Sequence, residues 1–253
     1  MGVSTDPLAP LLLLPGVSEA VEKARDAIVA AHNHPFNRRG WPTTSAEASV
    51  RAARASAVLQ GGNAEVPEDG LVNDPVLAGA LRVSEQLGRL LTVWQRAPLQ
   101  ALARLHVLAA TDLVDDPDRD SVLGRPRGGP EVSARLELLA QLVGEHSATR
   151  STVAAPVLVA VVHGELLALA PFAHANGIVA RAAARLTAVS TGLDPKALAV
   201  PEVGHLRRSG EYRDAAAGFG GGEPDGLARW LVHCCAAWEV GGKEAVGIAN
   251  SLA

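Results

Sequence analysis

The sequence predicts an all-α protein, and three observations support this prediction. The residues that favour helices (Ala, Leu, Arg and Glu) are abundant, and alternating apolar and polar runs typical of strands are scarce. Proline and glycine divide the chain into segments of helical length. The chain has 253 residues, 48% hydrophobic and 20% charged, enough for one domain with a sizeable core and, at most, an appendage.

Residues 1–40 are predicted to form an N-terminal helix and a loop. The helix covers 17–32, where five apolar residues recur on one side: Val17, Ala20, Val21, Ala24 and Ile28. A loop containing two prolines follows at 33–43. Thr44 and Glu47 then form a capping-box pattern, which predicts a helix from Thr44 to Gln60.

Further helices follow the same start and stop signals. The Asp74-Pro75 pair predicts one helix start and Pro98 another. The segment 111–130 contains three prolines and three glycines, which predicts a flap with room for a small β-hairpin. The predicted helices after Gly62 are 75–92, 98–110, 130–144, 152–169, 177–191, 210–218 and 225–241.

Composition argues against several classes of function. The net charge of −4 and the aromatic content of 3% argue against a dedicated nucleic-acid binder. The longest apolar stretch is interrupted by His163 and Glu165, so no membrane-spanning helix is predicted. Cys234 and Cys235 are neighbours that cannot form a relaxed disulfide, which favours the reducing cytoplasm.

One stretch is suited to chemistry, the elbow that joins the predicted helices 152–169 and 177–191. It ends in Asn176-Gly177, at a helix start where free N–H groups and the helix dipole favour anions. Arg181 lies one turn further along, so a phosphate seat is predicted. The alternative is an ordinary turn followed by a surface arginine.

The elbow resembles the signature of the Fic (Fido) family, H-P-F-x-[DE]-G-N-G-R-x-x-R. Laid on residues 170–181, five positions match: Pro171, Phe172, Asn176, Gly177 and Arg181. His163 is similar to a histidine that family members often carry seven residues before the signature. Seven helical residues separate it from Ala170 by about 10 Å, so a structural role inside the bundle is predicted for it.

Other segments resemble the family in the same order. Leu105-His106 is similar to the histidine-bearing helix ahead of the flap, and His106 is predicted to be half-buried and hydrogen-bonded. Residues 124–127 are similar to the G-x-x-R stretch of the flap, and 212–231 to the closing helices. The resemblance implies a Fic-like helical domain over residues 41–253.

The resemblance also implies a functional consequence for each departure from the signature. In the family, the signature histidine is the general base that activates a target hydroxyl, and the acidic residue holds Mg²⁺. Here Ala170 replaces the base and His174 the acidic residue, which leaves a poor Mg²⁺ site. Ile178 replaces the first arginine and Ala175 a glycine. The predicted nucleotide-binding residues are Asn176, Gly177 and Arg181.

A second motif also departs from the family pattern by losing a charged residue. Family members are often inhibited by a helix bearing [ST]-x-x-x-E-[GN], whose glutamate pairs with the second signature arginine. Ser56, Gln60 and Gly61 occupy the matching places in the helix 44–61, with glutamine in place of glutamate. The Gln60 amide is expected to hydrogen-bond Arg181 without neutralising its charge.

These departures predict a Fic-fold pseudoenzyme that is inactive or nearly inactive in AMP transfer. ATP or another nucleotide is the candidate ligand, no metal is predicted, and the partner is an unidentified protein. Because family members often pair through helical faces, a homodimer is a candidate assembly. Two alternatives stay open. One is an active Fic-type transferase that moves AMP or another phosphate-containing group from a nucleotide donor to a protein hydroxyl, with His174 as a candidate substitute base; the other is a helical interaction protein with a vestigial cleft.

Overall fold

The fold is entirely helical in the parts of the chain that the structure, a computed structural model, describes: residues 8–66, 70–149 and 155–253. Within these ranges there is no β-strand, which confirms the all-α prediction. The α-helices are α1 (Val17–Asn33), α2 (Trp41–Leu59), α3 (Pro75–Arg96), α4 (Pro98–Ala110), α5 (Arg119–Val122), α6 (Gly129–Thr149), α7 (Ala155–Leu169), α8 (Asn176–Ser190), α9 (Pro201–Arg207), α10 (Ser209–Gly220) and α11 (Pro224–Leu252).

Helices α7 and α8 form the centre of the bundle. Almost every residue of α8 is buried, as are ten residues of α7, and helices buried on all sides have no polar face. Helix α8 contacts α2, α3, α4 and α7, while α11 packs against α1, α7, α9 and α10. The surrounding helices therefore determine the position of the elbow between α7 and α8.

The start of α2 differs from the prediction. The helix begins at Trp41 after Gly40, and the Thr44 hydroxyl donates to Asn37 Oδ1 at 2.6 Å instead of capping a helix end. The predicted capping box is therefore wrong. The cap of α3 is as predicted, because the Asp74 carboxylate accepts the Leu77 N–H at 2.7 Å.

The flap contains no β-hairpin, so that prediction is wrong. Residues 111–122 instead form two 3-10 turns, Thr111–Leu113 and Asp116–Asp118, and the short helix α5. Proline lacks the N–H that a strand ladder needs, and this segment has no alternating apolar pattern.

The C-terminal helix is longer than predicted, and α9 was not predicted. Gly241 and Gly242 are typical of a helix end, but here they lie inside α11. A Cβ at Gly241 would collide with the backbone of Val200, and one at Gly242 with that of Ala27. The glycine pair therefore lets two segments approach α11 closely. No helix among the described residues is long and apolar enough to cross a membrane.

Candidate functional site

The elbow is a tight loop of six residues between Leu169 and Asn176. Ala170 and Ala175 have φ angles of 41° and 57°, in the left-handed region that favours glycine. The Ala170 and His174 side chains are exposed, whereas Phe172 is completely buried. The loop thus presents a methyl group and an imidazole to solvent and anchors itself through a phenyl ring.

The Asn176 side chain closes the loop on itself. Its Oδ1 accepts the Phe172 N–H at 2.9 Å, and its Nδ2 donates to the Phe172 carbonyl at 2.8 Å. The flap holds the loop from outside, because the Arg127 N–H donates to the Pro171 carbonyl at 2.7 Å and its guanidinium donates to the Ala173 carbonyl at 3.3 Å. The amide of Asn176 is thus engaged in shaping the elbow.

His106 joins α4, the flap and the elbow. Its ring stacks on Phe172 with centroids 4.2 Å apart, and its Nδ1 accepts the Gly124 N–H at 2.9 Å. It is completely buried, and its Nε2 has no hydrogen-bond partner among the described residues. The predicted half-buried, satisfied histidine is therefore wrong. Burial, followed by the charges of His174 and Arg127, lowers the pKa of His106 to about 4, so its imidazole is neutral at neutral pH.

Arg181 is bound to α2 rather than exposed. Its Nε donates to Ser56 Oγ at 2.8 Å, its Nη2 to the Ser56 carbonyl at 2.9 Å, and its Nη1 to the Tyr212 hydroxyl at 3.3 Å. It is 3% exposed, and no described carboxylate lies within ion-pair distance of it. Arg181 is thus a buried cation whose partners are all neutral.

Gln60 occupies the other place of the inhibitory-type motif but does not bind Arg181. Its side chain is exposed and makes no hydrogen bond to any described residue, so the expected Gln60–Arg181 hydrogen bond is wrong. The Gln60 amide oxygen instead lies over Gly177, where a Cβ would collide with it. Gly61 follows with a φ of 89°, after the end of α2.

A buried histidine cluster (His163, His205 and His233) lies behind Arg181 and was not predicted as a unit. His163 Nε2 lies 2.8 Å from the Tyr212 hydroxyl, which confirms its structural role. His205 Nδ1 lies 3.1 Å from His233 Nε2. Burial is the main cause that lowers the pKa of each of the three, to about 4 for His233. The three histidines come from α7, α9 and α11, and their neighbour Tyr212 comes from α10, so no local pattern could reveal the cluster.

The elbow does not fit a magnesium ion. Residues 170–176 contain no carboxylate, and no three His, Cys, Asp or Glu side chains converge on a metal site within the described ranges. Imidazole is a poor ligand for Mg²⁺. At the place of the first signature arginine, Ile178 is 2% exposed and belongs to the core.

Comparison with known proteins assigns the fold. The chain superposes on the crystal structure of a Fic family protein from Desulfovibrio desulfuricans G20 with a TM-score of 0.68 and 18% sequence identity, over 93% of this chain and 75% of that chain. No protein-family model and no curated protein matches the sequence. The chain therefore has a Fic-like, all-helical fold.

Proposed function

We propose that this chain is a Fic-fold pseudoenzyme that binds the phosphates of ATP or another nucleotide at the elbow. It acts on its protein partner by binding or regulation, with little or no AMP transfer. The observation that carries the proposal is Arg181, a buried guanidinium whose acceptors are hydroxyls and a carbonyl, with no carboxylate partner among the described residues. A buried charge without a counter-ion is costly, and a phosphate would supply one.

The N-terminus of α8 adds to this preference for anions. Gly177 lies in the first turn of α8, where backbone N–H groups are free and the helix dipole is positive. The Gln60 side chain lies over this glycine and is exposed. A nucleotide therefore reaches the helix start by displacing Gln60, and reaches Arg181 by replacing its bonds to Ser56.

The exposed groups of the elbow argue against efficient catalysis. Ala170 carries a methyl group, which accepts no proton, and loss of a positioned base typically costs a factor of about 10²–10⁴ in rate. His106 is no substitute, because it is completely buried and its Nδ1 is bonded to Gly124.

Calorimetry with ATP in the absence and presence of Mg²⁺ tests the binding. We expect saturable binding that does not require Mg²⁺, is weakened at least about tenfold in Arg181→Gln, and is partly retained in Arg181→Lys. Arg96→Gln is the control, because Arg96 is an exposed arginine at the far end of α3. The opposite end of α3 lies near Gln60, since the Asn63 N–H donates to Asp74 there. The length of α3 places the control about 30 Å away.

Gln60→Ala tests the access route. Because it removes the side chain that covers Gly177, it should bind ATP more tightly than the wild type. Absence of binding at millimolar ATP, or an Arg181→Gln variant that is folded by circular dichroism and binds like the wild type, would refute nucleotide binding at Arg181.

A second candidate, an active transferase, rests on the exposed imidazole of His174 four residues after Ala170. Labelled ATP incubated with a cell lysate separates the two candidates. Label transfer that is strong in the wild type and lost in His174→Ala would overturn the pseudoenzyme proposal. Absence of transfer, together with ATP binding, supports it.

Restoring the missing groups is the complementary test. The double substitution Ala170→His and His174→Asp, assayed with Mg²⁺, returns the base and the metal ligand at two exposed positions. Ile178 is left unchanged because an arginine at this buried position would place a charge in the core. Transfer by the double variant alone would identify the elbow as a disarmed catalytic site.

A further inference from the structure

A second candidate site is a cavity of about 250 Å³ between α2, α3, α8 and residues 195–197, here named the α2–α3–α8 cavity. This volume corresponds to about eight water molecules. On α8 the cavity begins at Arg185, nine residues or about 14 Å after Asn176 at the elbow. Arg181 of the proposed nucleotide site lies one turn before Arg185, so the cavity adjoins that site, although its lining includes none of Gln60, Gly177 and Arg181.

The walls of the cavity are mostly apolar. Trp41 stands at the rim and is 38% exposed, although it is one of only four tryptophans in the chain. An aromatic face at the edge of an apolar cavity offers a stacking surface for a flat ligand. The apolar walls are formed by Trp41, Leu87, Leu91, Leu186, Val189 and Pro195.

Two serines in the same walls have no hydrogen-bond partner among the described residues. Ser49 on α2 and Ser84 on α3 line the cavity, and neither hydroxyl hydrogen-bonds a described residue. A small number of unpaired polar groups within an apolar lining is typical of a ligand site, where these groups orient the ligand.

The charges in the walls favour an anion. Arg185 is neutralised by Glu202, with Nη1 and Oε2 3.2 Å apart. Lys196 also lines the cavity, and its ammonium donates to the Asn37 carbonyl at 3.2 Å without any described carboxylate partner. The cavity thus carries an excess positive charge. The cavity between α1 and α11 differs, since its lining mixes Lys23 and Lys243 with Asp26 and Glu239.

We propose that the α2–α3–α8 cavity binds a small aromatic carboxylate. Its ring packs between Trp41 and the leucines of α3, and its carboxylate pairs with Lys196. The serine hydroxyls of α2 and α3 supply further hydrogen bonds. The proposed carboxylate partner, Lys196, is a different cation from Arg181, the proposed phosphate partner.

Three indoles that differ only in their substituent test the ligand class by calorimetry: indole-3-acetate, indole and tryptamine. We expect indole-3-acetate to bind at least about tenfold more tightly than indole, and tryptamine to bind most weakly. Lys196→Gln should abolish the preference for indole-3-acetate over indole. Equal or tighter binding of tryptamine, or no binding of indole-3-acetate at millimolar concentration, would overturn the proposal.

Two glycine substitutions locate the site. Gly88 lies in α3 and lines the cavity, and a Cβ there meets no atom within 4 Å. Gly88→Leu therefore extends a side chain into free space and should weaken indole-3-acetate binding at least about tenfold. Gly247→Leu is the matched control, because Gly247 is also an exposed helical glycine with no atom within 4 Å of its Cβ position.

Both substitutions replace a helical glycine by a better helix former, so neither should lower the thermal midpoint. Equal affinity of the two variants for indole-3-acetate would place any binding elsewhere and refute the site.

Discussion

The buried histidine cluster should make the fold sensitive to acid. His233 is 6% exposed, and burial, followed by the charge of Arg208, lowers its pKa to about 4. The unfolded chain binds a proton with a pKa near 6.5. Below that pH the unfolded state holds more protons than the folded state, so stability falls as the pH falls, until the folded histidine is itself protonated near pH 4.

The magnitude follows from these two pKa values. Between about pH 7 and about pH 5, one such histidine lowers the free energy of unfolding by about 1.8 kcal/mol. Burial also lowers the pKa of His106 to about 4, so this histidine lowers the free energy of unfolding by a similar amount over the same pH range. The pKa values of His163 and His205 lie well below the ordinary value, so the cluster adds to the loss.

Urea unfolding followed by far-UV circular dichroism at several pH values measures this effect. His233→Phe preserves an aromatic ring in the cluster and removes one titratable group. Between about pH 7 and about pH 5, the free energy of unfolding of this variant should fall by about 1.8 kcal/mol less than that of the wild type, whatever its value at neutral pH. Phe219→Leu is the control, because Phe219 packs on Trp230, which lies beside His163 and His233; its pH dependence should run parallel to that of the wild type. Parallel curves for His233→Phe and the wild type would refute the reasoning.

Three further predictions concern backbone strain, helix packing and the reactivity of buried thiols. Ala175→Gly should raise the free energy of unfolding by about 1 kcal/mol, because the φ of 57° penalises alanine. Gly79→Ala should lower it by about 2 kcal/mol, since the new Cβ would collide with the Ala109 carbonyl and push α3 from α4. Cys234 and Cys235 should not react with a thiol reagent until the chain unfolds, because burial raises both thiol pKa values, to about 12 for Cys235.

Two controls belong to these measurements. Ala173→Gly changes a neighbouring alanine without positive φ, and should not stabilise the fold. Gly144→Ala adds a Cβ in α6 that meets no atom within 4 Å, and should not destabilise it. If Ala175→Gly and Ala173→Gly changed the free energy of unfolding equally, or Gly79→Ala and Gly144→Ala did so, the explanation from φ angles and Cβ contacts would be wrong. The prediction for the cysteines would be wrong if the folded protein were labelled as fast as the unfolded one.

The sequence alone determined the helical fold and the position of the elbow. Helices depend on contacts within a few residues, so periodicity and start signals such as Asp74-Pro75 suffice to locate them. The elbow was found in the same way, because proline and Asn-Gly act locally. Local signals gave a wrong prediction where packing dominates. Gly241 and Gly242 are typical of a helix end, but α11 continues through them, and the segments that pack closely against them are distant in the sequence.

Only the tertiary structure decided what surrounds the elbow. The partner of Arg181 on α2 is Ser56, 125 residues away, and not the glutamine that the motif pattern favoured. The histidine cluster and the α2–α3–α8 cavity each combine side chains from several helices. A sequence pattern specifies which face of a helix is apolar. Which residues of two distant helices meet depends on the packing of the whole bundle, because helix axes and rotations are set by all their contacts together.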